Sequence, residues 1–401
     1  MQMRRESARS AGGARARHWA RLAALPALPL MLAAAPAGDD ILAERLRTAP
    51  SGRLALDVDW FKPLATLPAA AAPLALASAP DDGGRFAKAV ALAEAAQSTA
   101  LLVWHDGALW LEHYGPGADA ATRTQSQSMH KSVLAMMIAL ALEDGHLASI
   151  EAPVSDYLGD WTPQPLGIIR IRHLLEMASG LALPPPGETG PDAFAVRLFH
   201  GTDIAAVARE AVQVKPPGAV FEYNNVNPQL LLAVLEAATG MAYEDYLARR
   251  LWRRIAEAPG GLWMDRADGT PHGYCCLIAS ARDWLRLGLV LMGEGDLLPR
   301  ARRDALLAPS AANPAYGQLI WRGSPWRPVR NYRPNGPFGV RHSAPYLADD
   351  TFFFDGYGGQ RVYVVPSRRL VIVRTGAEIA DWDDAALANA VIAALPPEQT
   401  Q

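Results

Sequence analysis

The chain has 401 residues, half of them hydrophobic, so it is long enough to bury one large core or two smaller ones. Its formal net charge is −3 and it has no extended basic run beyond its first residues, which argues against nucleic acid as a partner. The only cysteines are the adjacent Cys275 and Cys276, which excludes a disulfide framework. We interpret them as small core residues, with a disulfide between the two neighbours as the alternative.

The first 37 residues have the features of an export signal. Six arginines give a basic start, residues 22–35 are mostly apolar, and Ala35-Pro36-Ala37 offers a small-residue cleavage site. The apolar stretch is short and interrupted by proline, so no stable membrane span is expected. Removing the segment changes the net charge from −3 to −8, since six arginines and one glutamate are lost. We expect a periplasmic or secreted protein; a disordered arginine-rich start is the alternative.

Strand patterns lie near both ends of the chain, and helical patterns lie between them. Residues 64–80 are rich in Ala and Pro and favour an extended segment, not a packed element. His105-Asp106-Gly107 separates two apolar runs, 99–104 and 108–114, and so predicts a β-hairpin. The other predicted elements are helices at 87–97, from Ser128 to Gly145, and at 171–178, 227–239, 243–255, 281–292 and 384–395, with strands at 317–321, 351–354, 361–365 and 370–374.

This order of elements predicts an α+β fold. We expect an antiparallel sheet with flanking helices, built from both ends of the chain (38–125 and 310–401), and an inserted, mainly helical domain at 126–309. A cleft would form where the two parts meet.

Ser128 and Lys131 are three residues apart, so on a helix they share one face, about one turn from each other. Ser128 falls at the helix start, where unpaired N–H groups and the helix dipole favour negative charge. Residues 133–142 contain no charged side chain, which is typical of a helix buried at the centre of a domain. The pattern indicates a Ser-x-x-Lys site, in which the hydroxyl attacks and the amine takes its proton.

Lysine is rare in this chain, because only four of the 38 basic residues are lysines. Arginine cannot act as a base, whereas a lysine in a desolvated site can lose its proton. A lysine beside a serine at a helix start is therefore informative. The alternative is an N-capping serine and a lysine whose stem lies along a buried helix.

Several further motifs follow in order along the chain. They are Ile171-Arg172-His173-Leu174-Leu175 running to Ser179-Gly180-Leu181, Pro217-Gly218, Tyr223-Asn224-Asn225, Cys275-Cys276 leading to Ala281-Arg282-Asp283, and Gly356-Tyr357-Gly358-Gly359-Gln360. With the hairpin and Ser128-Met129-His130-Lys131, they resemble the serine β-lactamase and penicillin-binding protein superfamily. The resemblance is greatest to its class C-like hydrolases, which include 6-aminohexanoate-dimer hydrolase and related esterases, and it extends from about residue 99 to 375.

The resemblance implies a β-lactamase/transpeptidase-like fold and a hydrolase that cleaves small esters or amides without a metal or cofactor. Ser128 would be the nucleophile, and Lys131 and Tyr223 would transfer protons, Tyr223 as a phenolate favoured by the nearby ammonium. Asn225 would contact the substrate or hold Lys131. The Tyr357 and Ser128 N–H groups would form an oxyanion hole, and Gly358 would let the backbone approach the substrate closely.

One departure from the family pattern concerns the third motif, which usually contains Lys-Thr-Gly. No lysine follows Lys215, and Phe354-Asp355-Gly356 stands at this position. A carboxylate at Asp355 would not attract a substrate carboxylate, so we expect uncharged esters or amides, unless Arg322 or Arg341 supplies the cation. Pocket walls are expected within 183–200 and 316–346. The alternatives are a penicillin-binding or β-lactamase-type protein acting on β-lactams or peptidoglycan stems, and a non-catalytic scaffold of the same fold.

Overall fold

The computed structural model describes residues 38–79, 83–159, 161, 167–185, 187–334, 336 and 338–396. The expected export segment at 1–37 lies outside these ranges. The helices are α1 Gly38–Thr48, α2 Ala87–Ala95, α3 His130–Glu143, α4 Ile171–Leu175, α5 Phe194–His200, α6 Ile204–Arg209, α7 Val226–Thr239, α8 Tyr243–Leu247, α9 Arg253–Ile255, α10 Ala281–Met292, α11 Arg300–Leu307 and α12 Asp384–Ala394.

The strands, together with these helices, confirm the predicted α+β fold. They are β1 Leu64–Leu67, β2 Ala77–Ser78, β3 Ser98–His105, β4 Ala108–Tyr114, β5 Arg123–Gln125, β6 Gly260–Trp263, β7 Leu277–Ser280, β8 Trp321–Arg322, β9 Val329–Asn331, β10 Gly339–Arg341, β11 Phe352–Gly356, β12 Gln360–Val365 and β13 Leu370–Gly376.

The larger sheet has seven strands in the order β2-β4-β3-β13-β12-β11-β8. The predicted β3–β4 hairpin is confirmed, and Asp106 and Gly107 in its turn both have positive φ. β3 pairs with β13 in antiparallel register, with Leu102 opposite Val373, so both ends of the chain do contribute to one sheet. The β2–β4 pair is parallel, and the other pairs in this sheet are antiparallel.

Helix α10 packs on one face of this sheet. A Cβ at Gly288 would lie 2.6 Å from a methyl of Val371 and 2.8 Å from one of Val362, so glycine allows the helix to approach closely. The sequence Ser280-Ala281-Arg282-Asp283 predicts a capping box, and the structure confirms the cap, since the Ser280 side chain accepts a hydrogen bond from the Asp283 N–H. Helix α12 lies over the opposite face. Residues from Gly38 onward form one compact unit, and the expected domain division after residue 309 stays a prediction.

A second, four-stranded sheet has the order β1-β6-β7-β5. Its strands are only three or four residues long, and β6 and β7 are completely buried, so no alternating pattern predicts them. β1 lies in the Ala/Pro-rich segment, which is packed there and not merely extended. β5 ends at Gln125, and this sheet therefore fixes the chain just before Ser128.

Helix α3 is the buried central helix that the sequence predicts. It is enclosed from its first residue, and its apolar side chains from Val133 to Ala141 are at most 3% exposed. A helix without a polar face can be stable only when other elements cover it on all sides.

Two sequence interpretations are wrong. Cys275 and Cys276 form a disulfide with each other, so they are not separate thiols. The strand expected at 317–321 is absent up to Ile320, because Leu319 has a φ of +55° and the extended segment begins only at Trp321. In the part of the chain described, no helix is both long and apolar enough to cross a membrane.

Candidate active site

Ser128 lies in a 3-10 turn, Gln127–Met129, between β5 and α3. Gln127 has a φ of +48°, and its backbone N–H donates to Oε1 of Gln125. Its side-chain Nε2 donates to Glu378 at 3.0 Å. A non-glycine residue in the left-handed region is held there by its surroundings, so these contacts fix the turn that presents Ser128.

The structure brings Lys131 directly to Ser128. Lys131 Nζ lies 2.8 Å from Ser128 Oγ and donates to the carbonyl of Tyr274 at 2.9 Å. Lys131 is 1% exposed, and burial lowers the pKa of its amine to about 7, an effect that the negative charge of Asp355 opposes. Near neutral pH the unprotonated amine is therefore accessible and able to accept the serine proton.

Tyr223 is the third residue of this group. Its ring centroid lies 4.8 Å from Lys131 Nζ, and its hydroxyl is hydrogen-bonded to Ser128. Its ring stacks on Trp321 at 5.9 Å and meets Tyr332 at 5.1 Å. Burial raises the pKa of the phenol well above 10, so the phenolate expected from the sequence is not the resting form. Tyr223 is a neutral phenol that can give a proton and take one back.

Asn225 precedes α7, and its exposed side chain lines a cavity that Ser128 and Tyr223 also line. The contacts of Lys131 are with Ser128 and Tyr274, so the structure favours a substrate-facing position for Asn225 over one that holds the lysine. The neighbouring Asn224 is structural, because it accepts a hydrogen bond from the Asn227 N–H at 2.9 Å.

Tyr357 follows β11 and lies beside the Ser128 turn. A Cβ at Gly356 would be 2.7 Å from the Ser126 carbonyl oxygen, so the absence of a side chain allows this approach. The Ser128 and Tyr357 N–H groups both lie at the start of a 3-10 turn, where backbone donors have no acceptor within the turn. Gly358, which was expected to let the backbone approach the substrate, is buried and has a φ of +71°. It packs against Glu378 and is not among the residues that line the cavity.

Ser128, Lys131 and Tyr223 meet at a cavity of about 510 Å³, which we call the site cavity. Its walls come from both expected ranges and are mostly apolar. They include Leu183, Pro184, Ala195, Leu198, Phe199, Val226 and Phe338, with Asn225, Tyr274, Tyr332, Arg333, Asp355 and Tyr357 as the main polar members. This lining is typical of a pocket for a small, largely apolar molecule.

Asp355 does not present a free negative charge to the cavity. It is 3% exposed and forms ion pairs with Arg330 at 3.0 Å and Arg361 at 2.9 Å. The Tyr332 hydroxyl donates to it at 2.8 Å. The two arginines also contact Asp384, at 2.6 and 2.7 Å. In this ion cluster (Arg330, Asp355, Arg361 and Asp384) the charges balance, so Asp355 neither attracts a substrate carboxylate nor acts as an isolated negative charge.

Neither arginine suggested by the sequence is the cation of the site cavity. Arg322 bonds to the carbonyls of Pro314 and Leu307, and Arg341 pairs with Asp383 at 3.6 Å. Arg333 lines the cavity instead. It lies in a turn after β9, and no residue pattern in the sequence connects it to Ser128.

Tyr274 is also missed by sequence reasoning, and His130 is the neighbour of Lys131 at the start of α3. Tyr274 holds Lys131 through its backbone carbonyl, a contact that side-chain motifs cannot reveal. His130 Nδ1 lies 2.7 Å from the Cys275 carbonyl oxygen, and Nε2 lies 2.9 Å from the Tyr243 hydroxyl. Burial lowers the pKa of His130 to about 4, so it is a neutral positioning residue. Within the described ranges, no three His, Cys, Asp or Glu side chains gather as a metal site would require.

Comparisons with known proteins identify the family and the fold. Residues 85–376 match the family model described as Beta-lactamase. No curated protein gives a significant match. The fold is similar to that of a candidate 6-aminohexanoate-dimer hydrolase from Bacillus anthracis, at 20% identity and a TM-score of 0.68, covering 84% of this chain and 92% of that one.

Two other solved structures are similar. One is a novel penicillin-binding protein homologue from Caulobacter crescentus (18% identity, TM-score 0.55, 79% of this chain and 99% of that one). The other is EstCE1, described as a hydrolase with promiscuous acyltransferase activity (16% identity, TM-score 0.59, 77% and 99%). At such identities the likeness establishes the fold alone. Since the family match covers most of the sequence, the chain belongs to the Beta-lactamase family, whose members are generally hydrolytic serine enzymes.

Proposed function

We propose that this protein is a serine hydrolase that cleaves ester or amide bonds of small molecules through an acyl-enzyme on Ser128. The observation that carries the proposal is the 2.8 Å contact between Lys131 Nζ and Ser128 Oγ at the wall of the site cavity. A lysine whose pKa is about 7 can activate a serine hydroxyl, and an ordinary surface lysine cannot.

In the acylation step, Ser128 Oγ attacks the substrate carbonyl carbon while its proton passes to the neutral Lys131 amine. The carbonyl oxygen becomes an oxyanion that accepts hydrogen bonds from the Ser128 and Tyr357 N–H groups. Tyr223 donates its hydroxyl proton to the leaving alcohol or amine and is reprotonated from Lys131. The bond to the leaving group breaks and an ester on Ser128 remains.

In the deacylation step, a water molecule attacks the Ser128 ester. Its proton passes to the neutral Lys131 amine, and Oγ takes a proton from the Tyr223 hydroxyl as it leaves, while Lys131 reprotonates Tyr223; this releases a carboxylic acid and restores the enzyme. The apolar wall at Leu183, Leu198 and Phe199 suits an uncharged acyl chain.

A phosphonate that reacts with activated serines tests the assignment of the nucleophile. We expect one adduct on the full chain, located at Ser128 by peptide mapping. Ser128→Ala should fold normally, as circular dichroism would show, and should lose nearly all turnover of p-nitrophenyl butyrate, because no other group can form the acyl-enzyme. The exposed Ser155→Ala is the matched control and should retain full activity. An adduct at Ser126 or Ser132 would contradict the assignment.

A second candidate function is reaction with β-lactams, and Arg333 in the site cavity favours it. A β-lactam carries a carboxylate near its reactive amide, and Arg333 could pair with it. No lysine occupies the third motif, so we expect kcat/KM for nitrocefin to be at least about a hundredfold below that for p-nitrophenyl butyrate.

Arg333→Gln separates these two candidates. Losing one charge-assisted hydrogen bond should lower nitrocefin turnover about tenfold or more and leave the neutral ester within about twofold. Arg253→Gln, an exposed arginine on α9, is the control. Equal efficiency on both substrates in the unmodified protein would contradict the preference for neutral substrates. Stable acylation by nitrocefin without release would instead identify a penicillin-binding protein.

We also propose that the protein is exported, on the basis of the basic start, the apolar stretch and Ala35-Pro36-Ala37. Mass spectrometry of protein recovered from a periplasmic or culture-medium fraction should give a mature chain that begins close after Ala37. Recovery of the full-length chain from the cytoplasm alone would contradict export.

A further inference from the structure

A second cavity, of about 340 Å³, lies beside the site cavity and shares only Arg333 with it. We call it the arginine cavity. It is lined by four arginines, Arg322, Arg327, Arg330 and Arg333, and no Asp or Glu is among the described residues of its wall.

Among the described residues, three of these arginines have no carboxylate partner. Arg330 belongs to the ion cluster, but Arg322, Arg327 and Arg333 form no ion pair with a carboxylate in the described part of the chain. The two recorded contacts of Arg322 are with the backbone carbonyls of Pro314 and Leu307. Burial lowers its pKa, as expected for a half-buried cation without a counter-ion.

The molecule has a net negative charge, so this wall is a local concentration of positive charge. Several partly exposed arginines elsewhere are paired with a carboxylate: Arg197 with Glu210, Arg250 with Asp144, Arg282 with Glu112 and Arg369 with Asp106. Like charges gathered in one concave space repel each other, and an anion placed between them would remove that repulsion.

The other residues that line the arginine cavity indicate which chemical groups the rest of such an anion would carry. Phe221, Phe353, Pro314 and Pro325 give the cavity apolar walls. His342 also lines it, and its Nε2 is a buried nitrogen without a hydrogen-bond partner within the described residues. The volume is at the lower end of the range for small-molecule pockets, about 300–1,000 Å³.

We propose that the arginine cavity binds a small organic carboxylate with an apolar body, at a site separate from the site cavity. A guanidinium pairs with a carboxylate through two parallel hydrogen bonds, and the aromatic walls take up the hydrocarbon part. Inorganic phosphate would pair with the arginines but has no hydrocarbon part to contact the apolar wall.

The test is isothermal titration of the full-length Ser128→Ala protein with benzoate, hexanoate, benzyl alcohol and inorganic phosphate. We expect saturable binding of the two carboxylates, and at least about tenfold weaker binding of benzyl alcohol, which lacks the charge, and of phosphate, which lacks the body. Failure of both carboxylates to saturate by about 10 mM, where a site with a Kd near 1 mM would be filled, overturns the proposal. So does phosphate binding as tightly as benzoate, since this indicates a general anion site.

Variants distinguish this site from the site cavity. Arg322 and Arg327 line the arginine cavity and not the site cavity. The variants Arg322→Gln and Arg327→Gln should therefore each weaken benzoate binding about tenfold or more. Arg253→Gln should leave it within about twofold. Arg327 is exposed, so its variant should fold even if Arg322→Gln does not. Unchanged benzoate affinity in a folded Arg327→Gln protein would place the ligand elsewhere and overturn the proposal. Because binding is measured without Ser128, the result does not depend on the proposed hydrolysis.

Discussion

Lys131 illustrates what a single residue can and cannot show in a sequence. Its spacing from Ser128 predicts their contact, because residues three apart share a helix face. Its pKa could not be predicted, since it depends on burial by distant parts of the chain and on Asp355, more than 200 positions away. The phenolate expected for Tyr223 is wrong for the same reason. The rings of Trp321 and Tyr332 that contact it, and so bury its hydroxyl, do not form a motif in the sequence.

The lowered pKa of Lys131 predicts the pH dependence of activity. Only the neutral amine can accept the serine proton, so kcat/KM for p-nitrophenyl butyrate should rise with pH through an apparent pKa near 7. A pH–rate profile measures this limb directly. Lys131→Arg keeps the positive charge but has no accessible neutral form, so activity should fall by about two orders of magnitude or more.

Lys88→Arg, at an exposed position on α2, is the control and should behave like the unmodified protein. If the Lys131→Arg protein remained largely active with the same limb, Lys131 would act only as a charge, and another group would have to take the proton.

At the level of elements, prediction succeeded where the pattern is local. The β3–β4 hairpin follows from a Gly-containing turn between two apolar runs, and the α10 cap follows from Ser280 and Asp283. The β5–β7 pair joins segments about 150 residues apart, and nothing within either short segment marks the partner. Sheet pairing over such distances is decided by tertiary packing and not by local propensity.

The end of β11 predicts the effect of a small substitution. In Gly356→Ala, the new Cβ would meet the Ser126 carbonyl at 2.7 Å and Met129 Cγ at 3.2 Å, so the strand end must move away from the Ser128 turn. The Tyr357 N–H would move with it. We expect kcat to fall about tenfold to a thousandfold while KM changes little, since an oxyanion donor acts mainly in the transition state.

Steady-state kinetics with p-nitrophenyl butyrate measures both constants. Gly190→Ala is the control, because a Cβ there meets nothing within 4 Å. A Gly356→Ala protein with unchanged kcat would show that the Tyr357 N–H does not stabilise the oxyanion.

For the whole molecule, the ion cluster is the feature that no sequence pattern predicts. Its four members lie on β9, β11, β12 and α12, so the cluster joins the wall of the site cavity to the last helix. Asp384 is fully buried, and the charge of a buried ion pair is tolerated only while both partners remain.

Asp384→Asn leaves two buried arginines with one carboxylate. We expect this variant to lose about 3–5 kcal/mol of unfolding free energy, measured by urea denaturation. Asp304→Asn removes an exposed carboxylate paired with Arg300 and should change stability by less than about 1 kcal/mol. Equal stabilities of the two variants would mean that Asp384 contributes no more than a surface charge.

The pairing of β3 with β13 has a consequence for the order in which the protein can mature. β3 is complete by His105 and pairs with β4 directly after it, but β13, its neighbour on the other side, begins only at Leu370, and Asp384 follows later still. A ribosome must therefore finish nearly the whole polypeptide before the central strands can meet, and contacts of such long range form slowly. Until β13 has been synthesised, β3 lacks one of the strands that pair with it in the folded protein. In the export that we propose, this is the interval in which a translocation channel that threads unfolded chains would receive the protein.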